Sequence, residues 1–389
     1  MILDIKLQNF QSMRDSVNID FTVGKQAPDV SSFVALPEGE PRASLIQAFM
    51  GANGSGKTTS LRAIALVRWM LVASFSEDNF IPVRPFAGGN STKTPTSIEV
   101  TFSLKGRVHI YGLLFDDNRV YKETLSIRTL SQKRLTVKTI FEREWNDGTK
   151  IYSVNDKEFK LPGGYWTSDE LKNTSLIAAA SRFGNDYAKE ITDYWWRVST
   201  NIDVEERFLP YQIEAYRAAR YYDTHPKKRK SAETDIKKYD LGIEGFGKNG
   251  KIKHTYGDTH FDLEVDQESS GTLQILVLNR KMERALKDGG VVVIDELDAY
   301  LHPLITKGII GKFTNPKINI GGAQLIFSTH DVAIFDLLSK YEIQLVSKSK
   351  GENITTVKRL DTFPGVRNTE NIKKKYLNGD FGGIPEHSL

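Results

Sequence analysis

An α/β fold is predicted, with a mixed and parallel sheet flanked by helices, an antiparallel β-subdomain and a compact helical insertion. Three observations predict it. The apolar runs SLIQAFM (44–50), GVVVIDE (290–296) and AQLIFSTH (323–330) are separated by helical patterns, as expected of parallel strands buried on both faces. The segments SIEVTFSL (97–104), RVHIYGLLF (107–115) and ETLSIRTL (123–130) alternate apolar and polar residues across short polar turns such as FDDNR, which marks antiparallel strands. From about Ser168 to Asp240 the periodicity becomes helical.

Taken in order, ILDIKLQNF and VNIDF read as two strands around a turn, and the polar stretch from Lys25 to Arg42 as a loop. SLIQAFM is a buried strand that enters a glycine-rich loop. TTSLRAIALVRWMLVASF follows as a helix with Leu61, Ile64, Ala65 and Val67 on one face. A loop spans Pro82 to Pro95 before the antiparallel strands. SDELKNTSLIAAASRF, DYAKEITDYWWRV and ERFLPYQIEAYRAARYY then form a compact helical lid, without the sustained heptads of a coiled coil. SSGTLQILVLNRKMERALKD and HPLITKGIIGKF are helices around the acidic strand. No internal repeat is present.

The 389-residue length implies one large domain with an insertion, or two domains. Zero cysteines exclude disulfides and thiolate metal sites. No apolar run is long enough to span a bilayer and the start lacks a signal pattern, so a soluble cytoplasmic protein without a membrane partner is expected. A net charge of +4 does not by itself indicate nucleic acid. The basic runs HPKKRK (225–230) and Lys373, Lys374, Lys375 could contact phosphates, or form a solvated face.

Gly51, Ala52, Asn53, Gly54, Ser55, Gly56, Lys57 and Thr58 match G-x-x-x-x-G-K-[ST] between a predicted strand and helix. Glycines let the backbone N–H groups converge on phosphates, and the helix start adds a positive dipole end. Lys57 would reach the β- and γ-phosphates, and Thr58 would give a hydroxyl to Mg²⁺. VVVIDE ends in two carboxylates: Asp295 is placed for the Mg²⁺ shell and Glu296 to polarise the attacking water. Unpaired burial of such charges is costly, so a cation is expected beside them. Ser269, Ser270 and Gly271 open a helix with free N–H groups, suited to a second phosphate contact. His330 ends a strand where it can sense the γ-phosphate.

The order of these pieces resembles the ABC-type ATPases, and specifically the branch of the SMC, RecF and overcoming-lysogenization-defect (OLD) ATPases. MILDIKLQNFQSMRDSVNIDF, IDELDAYLHP and FSTHD carry that likeness. VYKETL, DLGIEGF and ESSGT look like a compact bacterial subgroup of the RloA and abortive-infection type. The resemblance implies a phosphate-loop, ABC-type nucleotide-binding domain in three parts: 1–165 with the Walker A loop and β-subdomain, 166–245 as the helical insertion, and 246–389 with the signature, Walker B, D-loop and histidine switch. It also implies that Gly51 to Thr59 of one subunit bind ATP, while Ser269, Ser270 and Gly271 of a second close over the same γ-phosphate. Asp295 and Glu296 would manage Mg²⁺ and water, Asp298 would touch the opposing subunit, and His330 would be the switch. Lys57, Glu296 and His330 are the expected catalytic residues.

Two departures from the family pattern stand out. No glutamine lies between Ile81 and Ile98 to complete the Mg²⁺ site, and Gln11 occupies a slot where a basic residue is common. The expected function is an ATP-hydrolysing, head-to-tail homodimer or higher homo-oligomer that regulates a separate nuclease or toxin in antiphage defence. The alternative is a RecF- or SMC-like DNA-binding ATPase of repair or replication.

Overall fold

The computed structural model describes all residues except 77–79, 132–133, 157–158, 160, 162–164, 205–210, 240–241, 367–370 and 385–389. Among the described residues, no helix is long and apolar enough to cross a membrane.

The sequence's two kinds of strand pattern become two large sheets. The alternating segments build a seven-stranded antiparallel sheet in the spatial order Ile151–Asp156, Arg134–Asn146, Val120–Ser131, Arg107–Phe115, Thr96–Leu104, Ile2–Gln8, Val17–Asp20. The apolar runs build a six-stranded sheet in the order Val198–Thr200, Val291–Ile294, Gln324–Ser328, Ile46–Met50, Ile343–Lys348, Thr355–Arg359. Its first five strands are parallel and the last is antiparallel.

The helix Lys57–Val72 packs in one core with residues of both sheets. Leu61 and Ile64 share that core with Phe102 and Phe115 of the antiparallel sheet and Val293 and Ile326 of the parallel one. It is therefore buried almost all round, more than the single apolar face read from its sequence, and each fully buried Leu or Ile contributes about 1.5–3 kcal/mol. The other face of the parallel sheet is covered by Ser270–Asp288 and Pro303–Thr314, through Met282, Leu286, Ile309 and Phe313 against Ala48, Leu325 and Phe327. Gln324, fully buried, joins the two sheets: its amide donates to the carbonyls of Ile2 and Ser44, and its carbonyl accepts from the Ile2 amide.

Several elements differ from the sequence expectation. The helical stretch contains the helices Leu176–Arg182, Asp186–Trp196, Tyr211–Thr224 and Pro226–Lys237, but also the strand Val198–Thr200, which forms one edge of the parallel sheet. Three residues give too short a pattern to separate from the end of an amphipathic helix. The beginning of ERFLPYQIEAYRAARYY and the Asp240–Leu241 part of DLGIEGF lie outside the described residues. Strands at Arg134–Asn146 and Ile151–Asp156 extend the antiparallel sheet beyond the three expected strands, and Ile243–Phe246, Ile252–Tyr256 and Thr259–Leu263 form a small sheet of their own. Phe33–Val34, inside the stretch read as a loop, pairs with Arg42–Ser44 at that stretch's end.

A charge pair is enclosed where the antiparallel sheet meets the helical unit. Glu123 and Arg143 are direct cross-strand neighbours, both without solvent exposure, with Arg143 Nη2 2.8 Å from Glu123 Oε2. Glu123 also accepts from Tyr111 Oη (2.9 Å), Ser175 Oγ (2.7 Å) and the Leu176 amide (2.8 Å). Arg143 donates to the carbonyls of Leu171 and Thr174. The network thus ties the sheet to the first turn of Leu176–Arg182.

Candidate nucleotide site

Strand Ile46–Met50 ends directly in the glycine loop, at the carboxyl edge of a parallel sheet where ligands bind in α/β folds. The glycines there answer specific demands. A Cβ on Gly51 would overlap the Val346 carbonyl, and one on Gly56 would overlap the Thr355 side chain. Gly56 also has φ +112°, a conformation that L side chains rarely adopt. Gly56→Ala is therefore expected to destabilise the fold by about 1–3 kcal/mol. Thermal unfolding of the nucleotide-free variant checks this; a midpoint equal to wild type would remove the argument.

A cleft of about 480 Å³ opens in front of the loop, and Asn53, Gly54, Gly56, Lys57, Thr58 and Thr59 line it. Gly51 lies behind them against Val346, and Ser55 is turned inward at 4% exposure. Lys57 Nζ donates to the carbonyls of Gly51 (2.9 Å) and Ala52 (3.1 Å), so the ammonium is held inside the curl of the loop. Burial lowers the Lys57 pKa from its ordinary value, and the charges of Asp295, Glu296 and Asp298 oppose that shift.

The acidic strand brings its carboxylates to the same cleft. Thr58 Oγ1 donates to Asp295 Oδ2 at 2.7 Å, and Ser328 Oγ donates to Asp295 Oδ1 at 2.5 Å. The Asn201 side chain brackets the Asp295 backbone, donating to its carbonyl and accepting from its amide. Glu296 is exposed into the cleft in a left-handed conformation, φ +53°. Its amide donates to Ser328 Oγ (2.7 Å) and the next amide, of Leu297, to the Ser328 carbonyl (3.0 Å). A strained backbone held by this many bonds aims its side chain, and such strain gathers at functional sites.

His330 lines the cleft and is exposed. Its amide donates to Asp298 Oδ2 at 3.2 Å, while Asp298 Oδ1 is buried without a partner among the described residues. Ser269, Ser270 and Gly271 do not line this cleft. Ser269 caps the helix Ser270–Asp288 by accepting from the Thr272 amide (3.1 Å), and Gly271 lies against the Tyr300 carbonyl. Both serines face solvent. The structure thus gathers Lys57, Thr58, Asp295, Glu296 and His330, and leaves the small-residue turn outside the cleft.

A hydroxyl and a carboxylate held 2.7 Å apart are hard oxygen donors that fit Mg²⁺. Among the described residues no group of three or more His, Cys, Asp or Glu could hold a metal by itself. The protein would supply a minority of the ligands, as Mg²⁺ sites that share phosphate oxygens and water do.

Four residues of the site were not assigned a role by motif reading. Ser12 and Lys348 line the cleft, and Asn201 and Ser328 orient Asp295. Gln11, noted as a departure, also lines the cleft, and its carbonyl accepts from Thr59 Oγ1 (3.1 Å) and Arg62 Nη1 (3.2 Å). Ser328 belongs to the FSTHD motif and could have been singled out; Lys348 and Asn201 carry no signal at fixed spacing. Of the basic runs, HPKKRK enters the helix Pro226–Lys237, where Lys228 pairs with Glu283 and Arg229 with Glu233. Lys373 pairs with Asp336.

Comparison with known proteins places this geometry in a lineage. Residues 47–336, well over half the chain, match the family described as "AAA domain, putative AbiEii toxin, Type IV TA system". A 75-residue stretch is 32% identical to the "Retron Vc95 probable ATPase" of Vibrio cholerae serotype O1 biovar El Tor, covering 19% of this chain and 14% of that relative. Among solved structures, the SMC head domain from Thermotoga maritima aligns over 92% of this chain and 98% of its own, at 15% identity and a TM-score of 0.41. An Smc head domain with an extended coiled coil, bound to the C-terminal domain of ScpA derived from Pyrococcus furiosus, aligns over 92% and 95% at 14% identity and a TM-score of 0.40. The family match spans the phosphate loop, the acidic strand and the histidine strand together, and the chain belongs to this AAA-domain family.

Proposed function

We propose that this protein binds and hydrolyses ATP between two copies arranged head to tail, and that it regulates a separate effector, such as a nuclease or toxin, in a bacterial antiphage system of the abortive-infection kind. One observation carries the ATPase reading: phosphate loop, paired carboxylates and histidine share one cleft, while the serine-rich helix start faces solvent elsewhere. A helix start suited to a phosphate, exposed and outside the cleft of its own chain, fits one presented by a second copy. The family description and the retron relative support the defence role. The DNA-binding alternative has less support, because Lys228, Arg229 and Lys373 are engaged in pairs within the chain.

In this scheme the loop amides and Lys57 hold the phosphates. Thr58 and Asp295 would hold Mg²⁺, which offsets the phosphate charge when bound. Glu296 orients a water for in-line attack on the γ-phosphorus, the bond from that phosphorus to the bridging oxygen breaks, and ADP and phosphate leave. His330 touches the γ-phosphate and reports its loss through Asp298, which accepts from the His330 amide. ATP then favours the closed dimer by differential affinity for the two states.

The shared site is tested by complementation. Lys57→Ala and Ser270→Arg should each be nearly inactive alone, the first losing nucleotide and the second losing only the dimer. Mixed, they form heterodimers with one intact composite site and regain a measurable part of the ATPase rate. If heterodimers recovered through two different tags are no more active than the parents, the site is not shared.

A further inference from the structure

The C-terminal hairpin, strands Ile343–Lys348 and Thr355–Arg359, takes no part in the motifs described so far. It nevertheless packs against the glycine loop through Val346 and Thr355 and contributes Lys348 to the lining of the cleft. Ile343–Lys348 runs parallel to the phosphate-loop strand, with Leu345 beside Met50, so both strands end at the same edge of the sheet. The Val346 carbonyl occupies the place that a Gly51 side chain would need. On the returning strand Thr355 is fully buried, and its hydroxyl reaches the Ser55 carbonyl (2.7 Å) and Ser12 Oγ (2.8 Å). Its amide donates to the Ser12 carbonyl (2.7 Å).

Lys348 is the direct cross-strand partner of Thr355. Residues directly opposite in an antiparallel pair project from the same face. Since the Thr355 side chain packs on Gly56, Lys348 stands on the side of the hairpin that faces the phosphate loop. It lines the cleft together with Gln11, Ser12 and Gly54. It is exposed, and its ammonium makes no ion pair or hydrogen bond among the described residues. Lys57 is different: its donors are already directed at loop carbonyls.

We propose that Lys348 is a second cation for the nucleotide, holding the phosphate chain from the hairpin wall while Lys57 holds it from within the loop. This rests on the cleft being an ATP site. An ammonium is a compact, strongly hydrated point charge, suited to phosphate oxygens more than to reading the edge of a base. The hairpin thereby couples nucleotide occupancy to the C-terminal strands, which share the Ser12–Thr355 contact.

The test is equilibrium binding by the full chain of a non-hydrolysable ATP analogue, a GTP analogue and ADP, for wild type, Lys348→Ala and Lys348→Arg. Loss of one charge-assisted contact should weaken the Ala variant for all three ligands by about tenfold. The Arg variant should retain most of the affinity, and the dependence of affinity on salt should be shallower in Ala than in wild type. The unfolding midpoint without nucleotide should stay unchanged, which separates ligand contact from a structural role. An Ala variant with wild-type affinity overturns the proposal and leaves the ATP site standing. A loss of affinity confined to ADP and the ATP analogue, with the GTP analogue unaffected, also overturns it, since Lys348 would then read the base. Wild type binding none of the three removes the ATP site and this proposal with it.

Discussion

Glu296→Gln is expected to lower ATP turnover by about 10²–10⁴, the range for a positioned base, while leaving nucleotide affinity nearly unchanged. The substitution keeps the shape of the side chain and removes its charge. Glu296 lies exposed in the cleft and its own backbone amide, not its carboxylate, holds Ser328, so the Asp295 arrangement survives the change. With chemistry blocked, the ATP-bound dimer should accumulate and be seen by light scattering after size-exclusion chromatography. Steady-state ATPase assays give the rate. A variant that hydrolyses at the wild-type rate takes Glu296 out of the chemistry. One that stays monomeric with ATP bound takes the dimer out of the scheme.

Glu123→Ala should have the largest effect on stability, about 3–5 kcal/mol, the cost of leaving one member of a buried ion pair unpaired. The change deprives Arg143 Nη2, Tyr111 Oη, Ser175 Oγ and the Leu176 amide of an acceptor at once. Arg143 is fully buried, with the Tyr152 ring centroid 4.7 Å from its guanidinium. Urea unfolding followed by fluorescence measures the loss. The pair, not the carboxylate alone, is the unit: adding Arg143→Met to Glu123→Ala should recover part of the stability. Strictly additive losses in the double variant would show that the two side chains are not coupled.

Legibility in the sequence followed how local each signal was. The phosphate loop was readable because all its requirements fall within a few consecutive residues: an apolar strand, glycines free to curl, and a helix start. The strand ending in Asp295 and Glu296 was readable for the same reason. The strand Val198–Thr200 was not, because three residues carry no period and it exists only by pairing with Val291–Val293. Likewise the tight packing of Lys57–Val72 on all sides reflects a second sheet laid over it, which the helix's own sequence does not announce. The helix start at Ser269 was legible, and there Ser269 accepts from the Thr272 amide.

The residue types alone pointed to the chemistry proposed above: a lysine and a threonine after glycines, and two acids after a β-run, are the groups expected to hold phosphate and a hard cation. Folding settled the company they keep. Thr58 meets Asp295 across 237 positions of chain and Thr355 meets Ser12 across 343, contacts that no short window of sequence encodes. The order of strands in the parallel sheet brings these residues to one edge, so Lys348 and Asn201 join the site by topology. Short-range preferences follow from backbone hydrogen bonding and periodicity, whereas these pairings depend on which apolar faces are buried against each other.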